Sequence, residues 1–117
     1  MPAAERPADI VVVNQGGNDA GAPSIEAGYR NLIGLVRRRN PTAAIFCLVP
    51  FGQTHARSVL HAVVDARADG DERVFLVETK GWLDPKTDTT DGVHPNTEGH
   101  AKAARQLTAV VRRIMGL

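Results

Sequence analysis

The sequence predicts an α/β fold with a parallel sheet, on three observations. Three short runs are continuously apolar, which is typical of strands buried on both faces. Two amphipathic segments with helical spacing separate these runs, and a third follows the last run after a long polar stretch. Strand and helix therefore alternate, which is the order that connects parallel strands. We interpret residues 1–117 as one domain, because this length suffices for a modest core.

The predicted elements follow one another without internal repeats. The first strand, Ile10 to Val13, leads into a polar, glycine-rich stretch. The first helix begins at Ser24, a capping residue, and ends at Asn40-Pro41. The other predicted elements are a strand over 43–49, a helix that Thr54 can cap and that ends at about Ala68, a strand over 74–77, a polar loop over 78–96 and a helix over 97–115. The expected inward residues are Ile25, Tyr29, Leu32, Ile33 and Val36 in the first helix, Val59, Leu60, Val63 and Val64 in the second, and Ala104, Leu107, Val111 and Ile114 in the third.

Three strands make a small sheet, and its first strand has the composition of a central strand. If the strands lie in chain order, right-handed crossovers place the first two helices on one face and the last helix on the other. No strand precedes Ile10 to Val13 in the sequence. Because an apolar edge invites pairing, we expect a strand partner along Ile10 to Val13, either an N-terminal segment or another chain. The domain is then the later part of a larger sheet that lacks two strand–helix units.

Composition excludes several classes of function. The net charge of +1 gives no support for a nucleic-acid or membrane partner. Cys47 is the single cysteine, so an internal disulfide is impossible. No apolar run reaches the roughly 20 residues that span a bilayer, and the N-terminus lacks a signal peptide. As written, the sequence predicts a cytoplasmic protein, an expectation that holds only if Met1 is the natural start.

Two stretches carry candidate chemistry. Gly16-Gly17-Asn18-Asp19 follows the carboxyl end of the first strand, where ligand crevices form in open α/β sheets. The second stretch, Asp91-Gly92-Val93-His94-Pro95-Asn96, precedes the last helix, which Asn96 can cap. In a turn, the Asp91 carboxylate can reach Nδ1 of His94, hold its tautomer and stabilise the imidazolium. Taken alone, this second stretch favours the simpler interpretation, a turn that carries an exposed histidine.

Together, the motifs Gly-x-Asn-Asp and Asp-x-x-His-Pro-Asn resemble the third and fifth sequence blocks of the SGNH (GDSL-type) hydrolase family. The resemblance covers nearly the whole chain and implies a flavodoxin-like three-layer sandwich, here partial, with three parallel strands and flanking helices. It implies a serine hydrolase of acyl or acetyl esters, small-molecule or carbohydrate, without a cofactor. It further implies that His94 is the general base and that Asp91 orients it. By the same resemblance Asn18 and Gly16 belong to the oxyanion-binding stretch, and Asp19 braces that loop.

The family's nucleophile does not occur in this sequence. Neither the Gly-Asp-Ser block nor the glycine of the second block is present. Ser24 is interpreted as a helix cap and Ser58 lies within a helix, while Cys47 is mid-strand, as is typical of a buried thiol. We therefore expect a missing N-terminal segment or a companion chain to supply the serine, and the isolated chain to be inactive. The alternative is a non-catalytic assembly or binding module that keeps the fold.

Other interpretations of single residues have less support. The spacing of the histidines matches no common metal site, so no metal is predicted; they are His55, His61, His94 and His100. The glycines form neither a phosphate loop nor a dinucleotide fingerprint. Trp82, the one tryptophan, can cover the core or line a substrate pocket.

Overall fold

The computed structural model describes residues 6–16, 24–92 and 94–117. Three parallel strands form one sheet in chain order. Each predicted element is present, and the α/β class is confirmed. The elements are β1 (Ile10–Val13), α1 (Glu26–Arg39), β2 (Ala44–Leu48), α2 (Ala56–Ala68), β3 (Val74–Val77) and α3 (Thr97–Met115).

The sheet lies between two unequal helical layers. All five residues of β2 are buried, as its central position requires. Ile45 and Cys47 pack with α1 and α2 in one core cluster, whereas Phe46 and Leu48 pack with α3 in the other. The first two helices therefore share one face and the last helix covers the other, as the chain order predicts.

The first strand departs from the prediction of burial on both faces. Val13 is buried and Val11 packs with the α1–α2 cluster, but Ile10 is 37% exposed and Val12 is 42% exposed. The reason is that β1 is an edge strand, and α3 packs over β2 and β3 rather than over β1. Within the part of the chain that the structure describes, β1 pairs only with β2.

Two predicted helix faces also need correction. In α2, Leu60 is 40% exposed and Val64 is 52% exposed. In α3, Ala104 is exposed. Both helices bury a narrower stripe than the sequence suggests, because each covers only part of a three-stranded sheet. The buried apolar stripe of α2 is Val59, Ala62, Val63 and Ala66. In α3, Ala103 is buried, and the partly buried Leu107, Val110, Val111 and Ile114 pack against the sheet. The predicted inward face of α1 is confirmed, with Tyr29 and Ile33 buried and Ile25, Leu32 and Val36 packed beside them.

The predicted caps of the first two helices are not observed in that form. The residue before α1 is Ile25 and the residue before α2 is His55, and neither side chain makes a capping hydrogen bond. Ser24 instead lies one residue further out, where its Oγ accepts from the backbone N–H of Glu26 at 3.2 Å. Thr54 lies one residue before the N-cap position of α2, which His55 occupies in the left-handed conformation, with φ of 56°.

Candidate active site

The candidate site lies at the carboxyl edge of the sheet. Because the strands are parallel, the chain leaves all three at this edge. The buried Thr79, just beyond β3, donates from its Oγ1 to the carbonyl of Val49 at 2.8 Å and accepts from Gln53 Nε2 at 3.1 Å. These bonds hold the β3 loop against the β2 loop. Phe51 and Trp82 meet across the same two loops, with ring centroids 6.4 Å apart.

A tight hairpin carries the predicted acid–base residues. Thr89 and Pro95 form an isolated antiparallel bridge at its base. The backbone N–H of Thr90 donates to the carbonyl of His94 at 2.9 Å, and the N–H of Gly92 donates to Oγ1 of Thr89 at 2.8 Å. Gly92 has a φ of 89°, which other residues rarely adopt. The hairpin is therefore defined by its own backbone bonds.

The structure brings Asp91 and His94 together in direct contact. Nδ1 of His94 lies 2.6 Å from Oδ2 of Asp91, and the backbone N–H of His94 donates to Oδ1 at 2.7 Å. Such a contact favours the tautomer with the proton on Nδ1, which leaves the Nε2 lone pair able to accept a proton. The side chain of His94 is 69% exposed, and Nε2 has no hydrogen-bond partner among the described residues.

The described part of the predicted oxyanion stretch is Gly16. It is buried, and its φ of 112° is open to glycine but strained for other residues. A Cβ at this position would lie 2.9 Å from Cδ1 of Ile25 and 3.3 Å from Cγ of Pro50. Glycine is therefore favoured here by conformation, and a Cβ would also force Ile25 to shift. Asn18 and Asp19 lie outside the described residues, so their roles stay predictions.

Asn96 joins the hairpin to the last helix, as predicted. Its Oδ1 accepts from the backbone N–H of Gly99 at 2.9 Å, which caps α3. Its Nδ2 donates to the carbonyl of Thr87 at 2.9 Å, and its backbone N–H donates to the carbonyl of Asp88 at 2.9 Å. Asn96 thus fixes the start of α3 against the segment that precedes the hairpin, through its side chain and its backbone together.

Asp88, which no sequence pattern singled out, is only 1% exposed. Both of its carboxylate oxygens accept from Nζ of Lys102, at 3.0 and 2.9 Å, and Oδ2 also accepts from the backbone N–H of Asp84 at 2.8 Å. The N–H of Asp84 and the ammonium of Lys102 lower the pKa of Asp88. No neighbouring residue in the sequence distinguishes Asp88 from the exposed aspartates of the same loop. The one sequence feature that indicates close packing here is Gly99, a glycine inside a helix three residues after Asn96.

The three nucleophile candidates of this chain are engaged elsewhere. Ser24 and Ser58 place their Oγ atoms 3.4 Å apart between α1 and α2, and Ser58 also accepts from the N–H of Ile25. Cys47 is fully buried, and burial raises the pKa of its thiol to about 11, which disfavours the thiolate. None of these side chains contacts the Asp91–His94 pair.

The described residues contain neither a set of metal ligands nor a helix that could cross a membrane. Within ranges 6–16, 24–92 and 94–117, no three His, Cys, Asp or Glu side chains are grouped in a way that could hold a metal ion. None of the helices in the described part of the chain has the length and apolarity that a membrane crossing requires.

A parallel α/β sheet with an Asp–His pair on a loop beyond its last strand is typical of hydrolases that use histidine as a general base. Comparison with known proteins specifies the family. The chain belongs to the GDSL-like lipase/acylhydrolase family, which matches residues 1–102.

The similar proteins include a cellulase/esterase, a carbohydrate esterase and an acetyl xylan esterase. The chain is 36% identical over 118 residues to the cellulase/esterase CelE of Acetivibrio thermocellus, an alignment that covers 92% of this chain and 14% of that protein. It superposes with a TM-score of 0.81 and 31% identity on an active-site mutant of a family two carbohydrate esterase from Clostridium thermocellum, solved with a bound cello-oligosaccharide. The superposition covers 97% of this chain and 38% of the esterase chain. An acetyl xylan esterase from the rumen bacterium Butyrivibrio proteoclasticus shares the fold, with a TM-score of 0.76 at 18% identity over 97% of this chain and 38% of its own. The chain thus spans well under half the length of these relatives.

Proposed function

We propose that this chain is the base-bearing part of an SGNH-type serine esterase that hydrolyses acyl esters, with acetyl esters of carbohydrate as the substrate class. The observation that carries the proposal is the 2.6 Å contact between Nδ1 of His94 and Oδ2 of Asp91. Family membership supports the reaction type, and the carbohydrate esterases among the relatives support the substrate class.

In this proposal His94 moves the protons of the reaction. Its Nε2 takes the proton of the serine hydroxyl as the serine oxygen bonds to the ester carbonyl carbon. The same proton passes to the leaving alcohol oxygen when the tetrahedral intermediate collapses to the acyl-enzyme. A water molecule then repeats the sequence and releases the acid. Asp91 keeps its bond to Nδ1 throughout and stabilises the imidazolium formed in each half.

The oxyanion is assigned to the stretch after β1. The negative charge that develops on the carbonyl oxygen needs preorganised donors, each worth several kcal/mol, roughly 3–4 in studied hydrolases. Asn18 supplies the side-chain donor in this proposal, and Asp19 braces its loop. Gly16 allows the chain to turn there, because its left-handed backbone and crowded Cβ position disfavour larger residues.

The serine is supplied from outside residues 1–117 in this proposal, by an N-terminal segment or by a companion chain. The exposed edge of β1 supports this assignment, because Ile10 and Val12 lie uncovered on a strand with one open side. A further strand at that edge, with its own helix, would cover both residues. Such a strand would also bring its carboxyl end to the edge where the His94 hairpin lies.

A second candidate function is a non-catalytic assembly or binding module. The observation in its favour is that Ser24 and Ser58, the only serines of the sequence, bond to each other between α1 and α2. In that case the Asp91–His94 pair has no hydroxyl to deprotonate, and the open β1 edge serves only association.

Intact mass spectrometry of the protein from its natural source, with and without a fluorophosphonate probe, distinguishes the two. The esterase proposal predicts a species heavier than 12.5 kDa, or a complex with a second chain, that gains one adduct. Heat-denatured protein, in which the serine is no longer activated, is the control and gains none. A 12.5 kDa species without an adduct and without a labelled partner overturns the esterase proposal in favour of the module.

A further inference from the structure

The base of the His94 hairpin is joined to α3 by a buried carboxylate, that of Asp88, which pairs with the partly exposed Lys102. Asp88 lies directly before Thr89, where the hairpin closes on Pro95. Its carboxylate is buried and accepts from the ammonium of Lys102 on α3 and from the backbone N–H of Asp84. The side chain therefore joins the start of the hairpin to the second turn of the helix.

The main chain of Asp88 makes a second, independent connection to the same helix. Its carbonyl accepts from the N–H of Asn96 at 2.9 Å, across the base of the hairpin. That carbonyl also lies so close to Gly99 that a Cβ on Gly99 would overlap it. Side chain and backbone of one residue thus fix the hairpin against the first two turns of α3.

Core packing contributes little to the position of the acid–base pair itself. The side chains of Asp91 and His94 are 52% and 69% exposed, so core packing does not set where Nε2 points. A turn whose hydrogen bonds are exposed to water opens easily, whereas a turn that is bonded to a buried group such as the Asp88 carboxylate does not. Supporting residues of this kind determine whether a site keeps its productive geometry.

We infer that Asp88 is a positioning residue for the Asp91–His94 pair, and that it acts through Lys102 and Gly99 to fix the hairpin on α3. Asp88 does not touch the substrate or the reacting atoms. This inference rests on the proposed function for its catalytic consequence. A misplacement of about 1 Å in a reacting group can cost about 10²-fold in rate, which sets the size of the effect expected.

The first test observes His94 directly and needs no activity. In the ¹⁵N-labelled chain, NMR reports the tautomer from the ring nitrogens of His94 and the exchange rate of its backbone N–H, which donates to Asp91. We expect Asp88→Asn and Lys102→Met to raise that exchange rate about tenfold and to move the ring signals toward mixed tautomers. Arg105→Met is the matched control, since its contact with Glu98 is an exposed pair 3.9 Å apart on the same helix, and it should leave both readouts unchanged.

A steric variant tests the inference without altering charge. Gly99→Ala should displace the Asp88 carbonyl and produce the same changes at His94. Gly28→Ala is its control, because Gly28 lies in α1 with nothing within 4 Å of a Cβ. If Asp88→Asn fails to fold by circular dichroism, Lys102→Met decides, since the side chain of Lys102 is 39% exposed and we expect its loss to leave the fold intact; Lys102→Arg should restore the wild-type signals. Unchanged His94 signals in folded Lys102→Met and Gly99→Ala overturn the inference.

The catalytic consequence is measured in the serine-bearing protein with an aryl acetate. We expect Lys102→Met to lower kcat about 10²-fold while KM is nearly unchanged, because the variant alters the acid–base pair and not substrate binding. Changed His94 signals without any hydrolysis by the wild type show that the proposed function is wrong while the hairpin is positioned as inferred. Hydrolysis by the wild type with unchanged His94 signals in the variants shows the reverse.

Discussion

A single carboxylate holds His94 at two points. Oδ2 of Asp91 lies 2.6 Å from Nδ1 of the ring, and Oδ1 accepts the backbone N–H of the same residue at 2.7 Å. The carboxylate therefore fixes the ring relative to its own backbone, as well as its tautomer. Both functions depend on a group that only accepts hydrogen bonds.

Asp91→Asn removes the carboxylate and keeps the volume of the side chain, so it tests these two functions alone. An amide can present its N–H₂ to Nδ1, which favours the tautomer with the proton on Nε2 and removes the base. In the serine-bearing protein we expect kcat for ester hydrolysis to fall about 10²- to 10⁴-fold. Asp84→Asn is the control in the same loop, since its carboxylate accepts only from the N–H of Lys86. Equal activity of Asp91→Asn and wild type contradicts the role of Asp91.

His94→Ala removes the proposed base without disturbing the fold. We expect turnover by the serine-bearing protein to fall about 10²- to 10⁴-fold, the usual contribution of general acid–base catalysis. Because the side chain is 69% exposed, the free energy of unfolding measured in urea should change by no more than about 0.5 kcal/mol. His100→Ala, an exposed histidine in the first turn of α3, is the control. Retained turnover in His94→Ala would refute the assignment.

Gly16→Ala tests the turn after β1 through stability. The left-handed backbone costs a residue with a Cβ about 1–2 kcal/mol. Gly70→Ala is the matched control, because Gly70 has a φ of 104° but nothing within 4 Å of a Cβ, whereas the Cβ at Gly16 meets Ile25 and Pro50. We expect Gly16→Ala to be the more destabilising by about 1 kcal/mol in urea unfolding. If the two variants lose the same free energy of unfolding, the crowding around Gly16 relaxes without cost.

The features predicted from the sequence are those that depend on neighbours in the chain. The contact of Asp91 with His94 spans three residues, and so does the capping bond between Asn96 and Gly99. Spacing alone brings such pairs together in a turn or at a helix start. The alternation of strands and helices is likewise legible from local periodicity, and so is the division of helices between the two faces.

The features that were missed depend on contacts distant in the chain. Asp88 is buried because Lys102, fourteen residues away, lies against it, and no local pattern announces that pair. The exposure of Val12 follows from the layer above the sheet, since α3 covers β2 and β3 and leaves β1 open. A continuous apolar run indicates that a strand is suited to burial on both faces. It does not indicate whether a helix packs over each face.

Two buried or partly buried carboxylates make stability sensitive to acid. Burial acts to raise the pKa of Asp71, but hydrogen bonds and charge from Arg37 outweigh it, so the pKa is lowered below the ordinary 3.8. The N–H of Asp84 and the ammonium of Lys102 lower the pKa of Asp88 in the same direction. Since the folded state then binds protons more weakly than the unfolded state, stability is complete above pH 3.8 and is lost as pH falls through the folded values.

Urea unfolding at pH 7 and at about pH 3 measures this loss. We expect the wild type to be less stable at the lower pH, and the difference to shrink in Asp71→Asn and again in Asp88→Asn, because an amide has no proton to gain. The double variant should have the flattest profile, as the two sites share no hydrogen-bond partner. A pH difference of wild-type size in both single variants assigns the acid sensitivity to other groups.

The open side of β1 predicts how the 117-residue chain behaves when it is produced alone. Among the described residues β1 pairs only with β2, and Ile10 and Val12 are exposed. An edge of this kind is a template for another strand, so we expect concentration-dependent association in sedimentation velocity. Val12→Lys should yield a monomer, since a lysine on an edge strand opposes strand addition. Val64→Lys is the control: Val64 is more exposed, at 52%, but lies on α2 away from the sheet edge, so its replacement should leave association intact. A wild-type chain that sediments as a monomer at all concentrations shows that β1 needs no partner, and the support that its edge gives to an external serine-bearing strand is then lost.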